Sequence, residues 1–117
     1  MSLLFLEQEF DGDFDFISEL LFTVRNESKQ YLERINHLRS YGDKISANEL
    51  RRIAHLMKST ANTIGLFEVG NQLEKIESQF ESELMSVSHI NSNVDDLSTL
   101  VQEIHTVANK LLMEIDA

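Results

Sequence analysis

The chain has 117 residues, room for one domain around one core, and its 42% hydrophobic and 26% charged content separates it from disordered chains. A formal charge of −10 argues against a surface that grips DNA, RNA or an anionic membrane, and the absence of cysteine excludes disulfides and thiolate metal sites. No apolar run approaches the roughly 20 residues of a membrane span and no signal peptide is visible, so a cytoplasmic monomer with a protein partner is expected.

Residues 3–9 are dense in apolar side chains and predict a short helix, broken at Phe10-Asp11-Gly12-Asp13. Asp13 or Asp11 then caps a long helix over about 13–40. Ile17, Leu20, Leu21, Val24, Tyr31, Ile35 and Leu38 make its apolar stripe, with Ser28 a small polar gap where another helix can approach. Phe22 lies about 140° off that stripe. Either it packs under the N-terminal segment or it belongs to a docking surface. Gly42 suits a left-handed cap at the end of this helix.

Ser46 and Glu49 have the spacing of a capping box and start the next helix, over about 46–64. Leu50, Ile53, Ala54, Met57, Ala61 and Ile64 fall within a sector of roughly 100° and must face a core. His55 points elsewhere, about 140° from the Leu50 direction, on the side shared by Arg51, Lys58, Ser59 and Asn62. Lys58 and Ser59 are its i+3 and i+4 neighbours, so a cation and a small hydroxyl flank the imidazole.

Gly65 ends or bends that helix, and a third long helix follows over about 66–81 with the stripe Leu66, Val69, Leu73, Ile76 and Phe80. Phe67 stands off this stripe, and Gly70 either admits a neighbour or is merely tolerated. Residues 82–92, rich in Ser and Asn, predict a loop. A last helix over about 93–115 repeats Val94, Leu97, Val101, Ile104, Ala108, Leu111 and Ile115 by threes and fours, a bundle seam. Four amphipathic helices with short connections predict an all-α, antiparallel four-helix bundle, with the short N-terminal helix capping one end and all 117 residues in one domain.

The run His55-Leu56-Met57-Lys58-Ser59 with Gly65, then Val69 and Ile76-Glu77, resembles the signature of histidine-containing phosphotransfer (HPt) domains. That signature reads His-x-x-Lys-Gly, a second Gly ten residues after the histidine, an apolar residue at +14 and Leu-Glu at +21 and +22. Ser59 departs from it, standing where the family usually has Gly.

The resemblance implies a phosphoryl carrier without catalysis of its own, passing phosphoryl groups on His55 between response-regulator receivers, or from a sensor histidine kinase to a receiver. It implies Lys58 as the cation that neutralises phosphoryl oxygens, and Glu77 as a residue beside the histidine that can orient its ring. Lys58 read as a surface residue alone serves only solubility, and Glu77 read alone is an ordinary surface carboxylate. Docking on a receiver would use Arg51, Leu56, Ser59, Asn62, Phe22 and Phe67. No cofactor is expected on this chain, because magnesium and its acidic pocket would belong to the receiver. The chain could be the cytoplasmic part of a membrane sensor kinase.

A neutral imidazole suits that chemistry, since its pKa near neutrality makes it a nucleophile without a separate base. His37 and His89 read as solvent-facing, and His105, near the last seam, as a core histidine. No paired Glu-x-x-His, His-Glu-x-x-His or Gly-rich phosphate loop is present, which argues against a metal bundle and against ATP binding. Two other readings stay open: the phosphoacceptor domain of a chemotaxis-type histidine kinase, and a helical interaction module whose His55 is never phosphorylated.

Overall fold

The computed structural model describes residues 3–40, 47–81 and 87–116. They form five helices: α1 (Leu3–Glu9), α2 (Phe14–Arg39), α3 (Ala47–Thr63), α4 (Phe67–Phe80) and α5 (Val87–Asp116). No strand occurs among the described residues, and no described helix is long and apolar enough to cross a membrane.

Long-range side-chain pairs fix the directions of the helices. Arg39 reaches Asp95 while Ser28, further back on α2, meets His105, further along α5; these two helices therefore run antiparallel. Arg51 lies by Glu81 and Asn62 by Gly70, so α3 and α4 are antiparallel as well. α2 packs along α5 and α3 along α4, and the two pairs close into the expected four-helix bundle, with α1 docked through buried Leu6.

The periodicities find their core. All six apolar residues of the α3 stripe are buried, and so are Ile17, Leu21, Val24, Ile35 and Leu38 of α2. On α5, Val94, Leu97, Val101, Ile104, Ala108 and Leu111 are buried, with Ile115 packed partly against them. Ser28 is fully buried in the α2 stripe; its hydroxyl donates to the Arg25 carbonyl at 3.0 Å and lies 3.2 Å from His105 Nδ1. His105 is half-buried, with Nε2 3.2 Å from Asn109 Nδ2, so it belongs to the packing between α2 and α5.

The caps are local chemistry. Asp13, not Asp11, caps α2: its carboxylate accepts from the Phe16 amide at 3.1 Å. Gly65 ends α3 at φ 85°, with Leu66 N–H bonded to Ala61 O and Gly65 N–H to Asn62 O. Those two bonds make a Schellman stop, for which a residue without Cβ is favoured. The proposed cap residues Gly42 and Ser46 lie outside the described residues.

One boundary differs from the sequence reading. Residues 87–92, expected in a loop, are the first turns of α5. Ile90 packs against the core and carries the three-four rhythm back from Val94. Ser and Asn are middling helix formers rather than breakers, and neither Gly nor Pro interrupts the run, so packing decides. Residues 82–86 lie outside the described residues.

Candidate functional site

His55 sits in the middle of α3 on the side that the apolar stripe leaves to solvent; its side chain is 55% exposed. The α3–α4 turn at Gly65 folds α4 back along α3, and Gly70 sets how closely the two approach. A Cβ at residue 70 would lie 2.1 Å from Asn62 Oδ1, so the absence of a side chain there is what admits Asn62. That register brings Glu77 of α4 opposite His55.

The Glu77 carboxylate joins two residues of α3. Oε1 lies 2.7 Å from His55 Nδ1, and Oε2 accepts from Lys58 Nζ at 3.0 Å. Burial of Glu77 pushes its carboxyl up, but the hydrogen bonds from Lys58 and His55 outweigh this and hold it below the usual glutamate value. The carboxylate therefore stays ionised near neutrality and accepts a hydrogen bond from Nδ1–H. The imidazole is fixed as the Nδ1–H tautomer, and the lone pair sits on Nε2. An acceptor on Nδ1–H also makes Nε2 the better nucleophile.

The other residues singled out by sequence divide. Arg51, one turn before His55, donates to Asn48 Oδ1 at 3.1 Å and lies 4.0 Å from Glu81 Oε1, on the α4 side of the helix. Leu56 is half-buried and Ser59 is exposed. Asn62 is exposed as a residue but lies over Gly70. Phe67 is exposed, with its ring edge-on to Phe5 of α1 at 5.7 Å. It starts α4 ten residues before Glu77, about 15 Å away along the helix.

Phe22 is not brought to this group. It is exposed under the Arg25 guanidinium, 4.5 Å from the ring centroid. Arg25 lines the cleft between α2 and α5 with His105, whereas His55 stands over the α3–α4 pair. His37 is exposed, and the His89 side chain lies outside the described residues.

Arg52, which the sequence reading did not single out, stands three residues before His55. It is exposed and makes no hydrogen bond or ion pair among the described residues, although Tyr31 and Glu49 feel its charge. Its i−3 spacing from the histidine was the available signal.

The clefts along α4–α5 and α2–α5 do not include His55. Among the described residues no group of three or more His, Asp or Glu side chains could hold a metal ion. What the arrangement offers is one oriented nucleophilic nitrogen, open to a globular visitor.

The family model described as the Hpt domain matches residues 19–110, most of the chain. No curated protein and no solved structure matches it.

Proposed function

The chain belongs to the Hpt-domain family, and from that membership we propose that His55 carries a phosphoryl group between receiver domains of a two-component phosphorelay. The observation that supports this most is the 2.7 Å contact of His55 Nδ1 with Glu77 on a half-exposed ring, which leaves Nε2 bare.

The Nε2 lone pair attacks the phosphorus of an aspartyl phosphate on the donor receiver. A P–N bond forms as the P–O bond breaks, and the aspartate leaves with its electron pair. The Nδ1 proton stays on the ring against Glu77, whose negative charge stabilises the cationic phosphoimidazole. Return of the phosphoryl group to a second receiver reverses these steps. Transfer through a loose transition state depends on position and charge rather than on an acid–base pair, so a carrier needs little beyond an exposed, oriented ring. Magnesium and the acidic pocket that binds it belong to the receiver.

Around the site, Arg51, Leu56, Ser59, Asn62 and Phe67 supply the docking surface, and the carrier works as a cytoplasmic monomer. The test is incubation with a phosphorylated receiver followed by intact-mass measurement. A gain of one phosphoryl group that disappears in His55→Gln supports the relay. A gain only from the ATP-binding domain of a kinase supports the chemotaxis-type reading. No gain from either class of donor leaves an interaction module.

A further inference from the structure

The His55 ring divides its surroundings. Its Nδ1 edge faces α4, where Glu77 and the Lys58 ammonium are bonded to each other. Nε2 lies toward the opposite side of the ring, so a group bonded to it projects away from α4 across the outer surface of α3.

Helix geometry identifies what it would meet. Counted from Leu50, the residues that reach α4 are Lys58 at about 80°, Arg51 at about 100° and Asn62 at about 120°. His55 follows at about 140°, then Ser59 at about 180° and Arg52 at about 200°. Arg52 and Ser59 are therefore its i−3 and i+4 neighbours on the side away from Glu77. Helical side chains lean toward the N-terminus, which carries the His55 ring over the turn holding Arg52 and the Ser59 side chain toward His55; Arg52 itself leans away, and its long flexible stem is what lets the guanidinium turn back to the ring.

Both groups are available. Arg34, Arg39, Arg51 and Lys58 are each in contact with a carboxylate, whereas Arg52 makes no ion pair or hydrogen bond among the described residues; only the field of its guanidinium reaches Glu49 and Tyr31. The hydroxyls of Thr60 and Thr63 are bound back to the carbonyls of Leu56 and Ser59, while the Ser59 hydroxyl makes no hydrogen bond among the described residues.

We propose that Arg52 and Ser59 form the phosphoryl cradle of this domain, the guanidinium and the hydroxyl donating to the oxygens of a phosphoryl group on His55 Nε2. This rests on His55 as the phosphorylated residue. Guanidinium–phosphate bonds are charge-assisted, and the serine hydroxyl adds a short neutral donor that glycine lacks. The Lys58 ammonium, held on Glu77 beside Nδ1, adds its positive charge to the same site.

Phosphoramidate loads exposed histidines without a partner protein, so this cradle can be read independently of relay. The whole chain is loaded with it at mildly alkaline pH and followed by 31P and 1H–15N NMR. The Arg52 Nε–H and Ser59 amide resonances are expected to shift on loading. The 31P resonance of the loaded chain should move in Arg52→Gln and in Ser59→Ala, and stay in place in the control Lys75→Gln. Circular dichroism should show unchanged helicity in all three, since each residue is exposed. Unmoved Arg52 and Ser59 signals, or a 31P resonance indifferent to both substitutions, overturn the cradle while leaving His55 as carrier. Failure of phosphoramidate to label His55 overturns the carrier reading and the cradle with it.

Discussion

Glu77 Oε1 lies 2.7 Å from His55 Nδ1, and the same carboxylate holds Lys58 through Oε2 at 3.0 Å. One buried carboxylate thus fixes the tautomer of the histidine and ties down the lysine one turn further along. Removing its charge affects both.

In Glu77→Gln, which keeps the shape and loses the charge, acceptance of phosphoryl groups by His55 should slow by roughly tenfold, the scale on which a positioning partner supports a reactive imidazole. Stopped-time phosphotransfer from a labelled receiver measures it. An unchanged rate would mean that the ring needs no anchor.

Lys58→Ala should lower stability by about 1 kcal/mol, because it leaves a buried carboxylate one bond short. For a domain of this size that is roughly 4 °C in Tm, readable by thermal denaturation. A lysine that merely faced solvent would leave melting unchanged. The side chain of Lys58 is only 22% exposed, which separates the two expectations.

The Glu77 carboxyl sits lower in the folded chain than its ordinary value of 4.5, through its bonds to Lys58 and His55 acting against burial. Its stabilising contribution is therefore complete above that ordinary value and is lost as pH falls through the depressed native one. Between those two values wild type should lose stability more steeply than Glu77→Gln. Urea melts at a series of pH values test this, and parallel curves would refute it.

Gly70→Ala adds a Cβ that meets the Asn62 side chain, the end of a flexible residue that can swing aside at some cost. In an Asn62→Ala background that obstacle is gone and only the helix preference for alanine remains. There Gly70→Ala should stabilise by about 0.5–1 kcal/mol. A double-mutant cycle by denaturation reads the difference, and destabilisation in both backgrounds would place the constraint on the backbone instead.

Much of this was legible in the chain. The six-residue stripe of α3 required the opposite side to face solvent, and His55 fell there. At the start of α5 composition misleads: Ser and Asn suggest a loop, although Ile90 continues the seam. The His55–Glu77 bond could not be read from periodicity, because it depends on the register of α3 against α4, set by the Gly65 stop and the Asn62–Gly70 contact. Phe22 was ambiguous for a related reason: a wheel shows that a residue leaves the core, not which neighbouring helix it leaves beside. Arg52 stands at a legible i−3 spacing, but which side of the ring Nε2 faces becomes defined only once Glu77 holds Nδ1.

The most direct measurement is long-range 1H–15N and 31P NMR of the 15N-labelled chain after loading by a phosphorylated receiver. Carriage by the oriented ring predicts phosphorus bonded to His55 Nε2 with the proton retained on Nδ1. Phosphorus on Nδ1, or no phosphoryl group on His55 at all, would contradict it.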